Sequence, residues 1–194
     1  LYNNMVCTQN SHARSVQNLL QTVKALLSSR YPNVQLMIYG SCLSGLSLGM
    51  SSDVDISLYI SSVSDWKKME EMGELSQEGF KKKLKNCVYS VANVLRKCAG
   101  AGFGEIQPIP QARVPVVKGQ YKCAQNPLSN DGSLCFDICF LNEIAVVNST
   151  LLREYSLLEV RVKMVMLAVK SWVKSKDIGS AADGTMSSYT WMVL

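Results

Sequence analysis

Residues 39–59, YGSCLSGLSLGMSSDVDISLY, decide the fold of this chain and point to its chemistry. An apolar run ends at Gly40-Ser41, a loop of small residues follows, and the segment Asp53-Val54-Asp55-Ile56 then alternates carboxylates with β-branched residues. Because residues i and i+2 of a β-strand point to the same face, such a strand presents its two carboxylates side by side. Like charges at that separation repel unless a cation lies between them. The stretch therefore predicts a strand, a turn, a short helix and a second strand that carries a candidate site for a divalent cation.

The composition suits a packed globular protein of one or two domains, since 47% of the 194 residues are hydrophobic and 18% are charged. No apolar run is long enough for a transmembrane helix, so no membrane partner is expected. The net charge of +5 permits a polyanionic partner without requiring one.

Cysteine and histidine usage bears on the compartment and on metal chemistry. The seven cysteines include no CxxC pair and His12 is the single histidine, which predicts reduced, buried thiols in an intracellular protein and no zinc site. No secretory signal is visible, which agrees with the mitochondrion or the cytoplasm. Because the chain opens at Leu1 rather than at methionine, a targeting segment could precede it.

The spacing of apolar residues predicts helices toward both ends of the chain. The first thirty residues form a predicted helix, capped by Ser11 or Ser15 and ended by Pro32, which we expect to pack on the helical part of the chain. Residues 76–100 predict an amphipathic helix whose KKKLK segment is either a solvated face or a weak RNA-binding patch. Residues 151–176 predict one long, largely buried helical stretch.

Predicted strands lie between these helices. They are VQLMIYG at 34–40, DVDISLYI at 53–60, ARVPVVKGQYK at 112–122 and GSLCFDICFLN at 132–142. Pro115 has no amide hydrogen to donate, so the third of them is expected at an edge or a bulge of the sheet. The order predicts an N-terminal helix at 1–30, an α/β module at 31–147, and the start of a mostly helical second domain, incomplete in this chain, at 148–194.

A third carboxylate and a phosphate-binding turn complete the candidate site. Asp137 is the single acid in a strand of cysteine, phenylalanine and isoleucine, where it is unfavourable unless a charge or hydrogen bonds compensate it. The turn at Gly40-Ser41 leads from a strand into a helix, and such a turn offers backbone N–H groups and a hydroxyl to a phosphate. Together, the carboxylates and the turn predict a nucleotide site.

These residues carry a resemblance to a known superfamily. Gly40-Ser41, a gap of eleven residues, Asp53-Val54-Asp55 and the later Asp137 resemble the signature of the DNA polymerase β-like nucleotidyltransferases. Residues 112–118, ARVPVVK, look like the strand before the third carboxylate in poly(A) polymerases and terminal uridylyltransferases of that superfamily. The whole set is similar to the terminal uridylyltransferases, especially the minimal trypanosomal type. The resemblance implies an α+β fold, in which a nucleotidyltransferase catalytic domain at 31–147, made of a mixed β-sheet with flanking helices, is followed by a helical nucleotide-binding domain.

The resemblance also implies a role for individual residues. Asp53, Asp55 and Asp137 would be catalytic and would hold Mg²⁺, or Mn²⁺ in its place. The nucleotide would be bound by Gly40, Ser41, Ser52, Asn148, Ser149, Lys170, Lys174, Ser188 and Tyr189. Arg113 would steady the RNA end, or else form a structural salt bridge.

Elementary chemistry is compatible with the roles in the helical part. Lys170 and Lys174 lie four positions apart on one helix face, so both ammonium groups can reach one triphosphate. The Tyr189 ring can stack on a base, and Asn148 can bond a ribose hydroxyl or a base edge. A solvated lysine pair and a tyrosine in the core are the alternatives.

The reaction implied by the resemblance is template-independent addition of UMP from UTP to the 3′ end of single-stranded RNA by two-metal phosphoryl transfer. Addition of AMP from ATP on the same scaffold is the nearest alternative. A non-catalytic RNA-binding module is the second alternative. Such modules usually lack one of the three carboxylates, whereas Asp53, Asp55 and Asp137 are all present here.

Overall fold

The computed structural model describes residues 2–48, 52–122 and 133–194, and of residues 2–11 only the backbone. The helices are α1 (Tyr2–Ser28), α2 (Gly40–Ser44), α3 (Ser61–Glu71), α4 (Gln77–Lys97), α5 (Glu143–Leu158), α6 (Val160–Ser175) and α7 (Ser188–Val193). The strands are β1 (Gln35–Tyr39), β2 (Val54–Tyr59), β3 (Phe103–Ile109), β4 (Val116–Lys122) and β5 (Ser133–Phe140). None of the described helices combines the length and the apolar character needed to cross a bilayer.

The five strands form one mixed sheet in the order β1-β2-β5-β4-β3. β2 and β5 run parallel to each other, whereas the other neighbouring pairs are antiparallel. β1 and β3 are therefore the edges, and β5 lies at the centre. The α+β fold with a mixed sheet and flanking helices is confirmed.

One face of this sheet packs against α1 and α4 and forms the main hydrophobic core. Val54, Ile56 and Leu58 alternate along β2 and are fully buried on that face. Leu19 and Val23 of α1 meet them, and α4 adds the buried residues Cys87, Val88, Val91, Ala92 and Leu95. Burying each large aliphatic side chain stabilises the fold by about 1.5–3 kcal/mol, so this core holds the sheet rigid beneath the site on its other face.

The N-terminal helix begins before the two caps that the sequence predicts. It begins at Tyr2, so Ser11 and Ser15 lie inside it and the two predicted caps are wrong. Ser15 is instead completely buried on the helix. The packing described for α1 is against α4 and β1 in the main core.

Two features of the sheet differ from the sequence prediction. Residues 110–115 form a turn and bend, so Pro115 precedes β4 and never enters the hydrogen-bonding ladder. The expectation of an edge or bulge is therefore wrong, since β4 lies between β5 and β3. The edge strand β3 and the helix α3 were not predicted, and both come from segments with mixed polar and apolar residues rather than a clear period.

The predicted long helix at 151–176 is two helices, α5 and α6. Glu159 separates them with an extended backbone (φ −157°, ψ 147°), which turns the chain without a glycine or a proline. The prediction that this stretch is largely buried is also wrong, because many of its apolar side chains are exposed: Leu157, Leu158, Val160, Met164, Val165 and Trp172. The buried part packs around Leu46, which follows α2 and contacts Leu152 and Met166.

Candidate active site

A row of side chains crosses the sheet on the face away from α1 and α4. Asp55 of β2 lies opposite Asp137 of β5 in the parallel register. Tyr39 of β1 lies opposite Asp55, and Lys118 of β4 lies opposite Asp137. Because side chains alternate along a strand, the register that buries Ile56 in the core brings the two carboxylates together on the other face.

Asp55 is half-buried and surrounded by like charge. Burial first, and then the negative charges of Asp137 and Asp53, raise the pKa of its carboxyl group to about 6, while Lys170 and Lys118 act in the opposite direction. A carboxylate in this position is unfavourable at neutral pH unless a further cation compensates it. Oxygen-only donors with uncompensated negative charge are the ligands that Mg²⁺ prefers, so the donor set fits a hard divalent cation.

Lys118 is a site residue whose role the sequence does not predict. Its Nζ donates to Oδ2 of Asp137 at 2.5 Å, and this hydrogen bond raises the pKa of the lysine. Among the described residues, no three acidic, histidine or cysteine groups are arranged as a metal-binding cluster. The ammonium group compensates the charge of Asp137 at Oδ2, while the carboxylate has a second oxygen that can bind a metal at the same time.

Because Gly40 has no side chain, the carboxylate of Asp55 can occupy the space next to it. Its φ is +66°, in the left-handed region where a residue with a Cβ is strained. A Cβ built on Gly40 would lie 2.0 Å from Oδ2 of Asp55, far inside van der Waals contact. Both the backbone conformation and the closeness of the carboxylate therefore require glycine here.

Ser149 of α5 holds the Gly-Ser turn in place. The amide N–H of Gly40 donates to Oγ of Ser149 at 2.7 Å, and that hydroxyl donates to the carbonyl oxygen of Ala145 at 2.6 Å. These two bonds hold the turn against α5, and the assignment of Gly40 and Ser149 to nucleotide binding stays a prediction. Ser41 follows in the first turn of α2 and is half-buried.

Lys170 connects α6 to the carboxylate row. Its Nζ donates to the carbonyl oxygen of Leu46 at 2.8 Å. Burial lowers the pKa of Lys170, whereas the negative charge of Asp55 raises it and the positive charge of Lys174 lowers it. Lys170 is thus close enough to interact with both Asp55 and Lys174, which is exposed. The interaction with Lys174 is expected, because the two lysines lie four positions apart on one face of α6.

Other predicted residues lie around this centre with different partners. Ser52 accepts a hydrogen bond from the hydroxyl of Ser47 at 2.9 Å. Asn148 is half-buried beside Ser149 on α5. Arg113 is exposed in the bend before β4, and it forms no ion pair among the described residues. Arg113 therefore does not form the structural salt bridge considered for it with any residue that the structure describes.

Ser188 and Tyr189 open α7, as predicted. The hydroxyl of Ser188 donates to the carbonyl oxygen of Gly179 at 3.3 Å, while Ser187 caps the helix by accepting from the amide of Thr190. Tyr189 is half-buried and packs against the cluster around Leu46. One part of its ring thus contacts the helical core and another part remains accessible.

Two thiols that sequence reasoning treated only as buried cysteines lie at the row. The hydroxyl of Tyr39 donates to Sγ of Cys139 at 3.1 Å. Burial, followed by the charge of Asp55, raises the pKa of Cys42 to about 11, so this thiol stays protonated. Cysteines 42, 87, 98 and 139 form no disulfide bond in the part of the chain that the structure describes, and the expectation of burial is wrong for the exposed Cys135.

Comparison with known proteins identifies the family. The family model described as the central palm domain of mitochondrial-like poly(A) RNA polymerase matches residues 1–157. The chain belongs to this family. Membership confirms the polymerase β-like nucleotidyltransferase superfamily predicted from the motifs.

The relatives of this palm domain include both uridylyl- and adenylyl-adding enzymes. It is 30% identical to the terminal uridylyltransferase cid1 of Schizosaccharomyces pombe over 90% of the chain and 37% of cid1. It is 28% identical to the poly(A) RNA polymerase GLD2 of Danio rerio over 84% of the chain and 28% of that protein. The chain spans less than half the length of either relative.

The fold of the palm domain also matches a solved structure. The crystal structure of Cid1 poly(U) polymerase with magnesium and 3′-dATP bound superposes with a TM-score of 0.63 at 27% identity. The match covers 93% of this chain and 47% of the Cid1 chain.

The raised pKa of Asp55 predicts how the stability of the metal-free palm domain depends on pH. Between about pH 4 and pH 6, the folded carboxyl group keeps a proton that the unfolded one has lost, since its pKa moves from 3.8 to about 6. The free energy of unfolding should therefore fall as pH rises through this window, by up to roughly 3 kcal/mol, and level off above it. Chemical unfolding with a chelator at pH 4.5 and 7.5, for wild type and Asp55→Asn, measures the difference. An equal pH dependence in the two proteins would contradict the assignment.

Proposed function

We propose that this protein adds UMP from UTP to the 3′ end of single-stranded RNA without a template. The observation that carries the proposal is the pairing of Asp55 with Asp137 on adjacent parallel strands, next to Asp53, on the face of the sheet that α2 and α5 approach. Family membership supports nucleotidyl transfer as the chemistry. RNA with a free 3′-hydroxyl is then the acceptor.

Three carboxylates would hold the metal. Asp53, Asp55 and Asp137 supply oxygen donors for Mg²⁺, or for Mn²⁺ in its place. The bound cation would supply Lewis-acid chemistry at the phosphate that is attacked and at the leaving pyrophosphate. Lys118 compensates part of the charge of Asp137 through Oδ2, and the other carboxylate oxygen would be available to the cation.

The triphosphate would lie against α6. An ammonium group has three N–H donors, and Lys170 uses one of them for the carbonyl oxygen of Leu46, which leaves two for phosphate oxygens. Lys174 is one turn away and exposed, so it can reach the same triphosphate. Ser41, Ser52 and Ser188 would add hydroxyl contacts, and Gly40 would allow the backbone to approach closely.

The nucleoside would be held by α5 and α7. The accessible part of the Tyr189 ring would stack on the base, and Asn148 would bond the ribose or the base edge. Arg113 is exposed and unpaired among the described residues, which leaves its guanidinium group available to the RNA end.

UTP is the proposed substrate, and ATP is the second candidate. Similarity to the uridylyltransferase cid1 favours UTP, whereas similarity to the poly(A) polymerase GLD2 favours ATP. A non-catalytic module is disfavoured because all three carboxylates are present. The free cysteines agree with an intracellular setting, in the mitochondrion or the cytoplasm.

Nucleotide competition tests the choice of substrate. We expect the protein, given equal concentrations of the four ribonucleoside triphosphates, Mg²⁺ and a 5′-labelled RNA, to produce tails rich in uridine. Sequencing of the products measures the composition of the tails. If the tails were composed of adenosine, ATP rather than UTP would be the substrate, and the proposal of nucleotidyl transfer would still hold.

A further inference from the structure

A groove lies on the opposite side of the sheet from the carboxylate row. It runs along α4 beside the end of α1 and the start of α3, in two adjoining parts that enclose about 370 and 560 Å³. Eight residues of α4 line it. Five of them are charged or carry an amide or an aliphatic hydroxyl, and they recur at alternating spacings of three and four residues, which places them on one helix face: Lys83, Asn86, Ser90, Asn93 and Lys97. We call these five residues and Arg30, which lines both parts, the α4 groove.

The α4 groove carries positive charge without a compensating acid. None of the residues that line either part is aspartate or glutamate. Arg30, Lys83 and Lys97 form no ion pair among the described residues, where the ion pairs present join other side chains. Three unpaired cations around one concave surface attract a polyanion more strongly than the same charges dispersed over a convex surface.

Aromatic rings and amides accompany these cations. Lys83 Nζ lies 5.1 Å from the centre of the Trp66 ring, and the Arg30 guanidinium lies 6.0 Å from that of Tyr31. Tyr89 lines the groove and is 40% exposed, so its ring face is accessible. Asn86 adds an exposed side-chain amide. Cations for phosphates, a ring for stacking and an amide for base edges are the elements of single-stranded nucleic-acid binding.

We propose that the α4 groove binds single-stranded RNA upstream of the 3′ end that reacts. From Lys83 to Lys97 the helix rises about 21 Å, at about 1.5 Å per residue, which is long enough for several nucleotides. The proposal rests on the proposed function for the identity of the RNA as the substrate.

The position of the groove determines which part of the RNA it contacts. Asp55 and Ile56 are adjacent on β2 and point to opposite faces, and Ile56 belongs to the core that α4 covers. An RNA strand that occupies both the groove and the carboxylate row must therefore pass around the sheet. A short primer reaches the carboxylates alone, whereas a long RNA contacts both surfaces.

The test compares two triple variants with the same change of net charge. The groove variant is Arg30→Gln, Lys83→Gln and Lys97→Gln. The control is Lys81→Gln, Lys82→Gln and Lys85→Gln, whose exposed lysines lie on the same helix but do not line the groove. Fluorescence anisotropy with a labelled oligouridine of about 20 nucleotides, without metal or nucleotide, measures affinity over a range of salt concentrations.

We expect the groove variant to bind this RNA on the order of tenfold more weakly. The salt slope, which is the change in the logarithm of the affinity with the logarithm of the salt concentration, should fall in magnitude by about 2, since each of three lost phosphate contacts contributes about 0.7. The control should change both quantities much less. Equal losses in the two variants would show general charge attraction and overturn the groove, as would failure of the wild-type protein to bind the oligouridine.

A neutral substitution separates stacking from charge. Tyr89→Ser should weaken binding by about tenfold while the salt slope stays as in wild type, because base stacking involves no counterion. An unchanged affinity would remove Tyr89 from the groove's contacts and overturn the stacking part of the proposal.

Extension of a short primer distinguishes this proposal from the proposed function. If the groove exists, the groove variant should extend a primer of about 4 nucleotides like wild type and a long RNA less efficiently at low RNA concentration. If the groove variant extended both RNAs as efficiently as wild type does, the result would contradict RNA binding by the groove and leave the catalytic proposal standing. RNA binding that depends on the groove, without extension of any primer by wild type, would contradict the catalytic proposal alone.

Discussion

Replacement of Asp55 by asparagine should lower nucleotide transfer at least about a thousandfold, because the loss of one charged metal ligand removes several kcal/mol of transition-state stabilisation. The same change should raise the stability of the metal-free protein at neutral pH by roughly 1–3 kcal/mol, because it removes a carboxylate whose pKa burial and like charge raise to about 6. Primer extension and chemical unfolding measure the two effects.

The opposite signs of these effects make the prediction specific. A residue that only supports the fold would lose activity and stability together. Asp65→Asn is the matched control, since Asp65 is exposed on α3 and should change neither quantity appreciably. Transfer by Asp55→Asn at a rate close to wild type would remove Asp55 from the catalytic centre.

Gly40→Ala should reduce transfer by about a hundredfold, since a displacement of the order of 1 Å in a catalytic group has that effect. The added Cβ would lie 2.0 Å from Oδ2 of Asp55, so the carboxylate must move out of the row. Strain at φ +66° should also lower the free energy of unfolding by roughly 1–2 kcal/mol.

Gly45→Ala separates these two consequences of the Gly40 substitution. Gly45 has almost the same backbone conformation, φ +69°, but a Cβ there would meet only Lys163 Nζ, at 3.8 Å. The control should thus show a similar loss of stability with most of the transfer activity retained. Equal losses of activity in the two variants would assign the effect to backbone strain and contradict the role of Gly40 in making room for Asp55.

The sequence was informative where one strand or one helix carries the whole pattern. The alternation from Asp53 to Ile56 fixes which side chains share a face, because the period of a strand is local. Asp137 was found for a similar reason, since a single acid in an apolar strand has few explanations other than a functional one. The Lys170 and Lys174 pair follows from helical spacing alone.

Contacts between distant segments were not readable from the sequence. Lys118 meets Asp137 because β4 and β5 pair in one particular register, and nothing local to ARVPVVK indicates that register. The bond from Gly40 to Ser149 joins residues 109 positions apart, so a predicted phosphate donor turned out to have a protein partner. The break at Glu159 likewise lacks the glycine or proline that commonly marks a helix end.

The most direct measurement of the central claim uses a 5′-labelled single-stranded RNA in two forms, one with a free 3′-hydroxyl and one with a 3′-deoxy end. With UTP and Mg²⁺, the protein should extend the first RNA, release pyrophosphate in equal amount and leave the second RNA unchanged. If the folded protein extends neither RNA with any ribonucleoside triphosphate in Mg²⁺ or Mn²⁺, the row at Asp55 and Asp137 is not a centre for RNA 3′-end transfer.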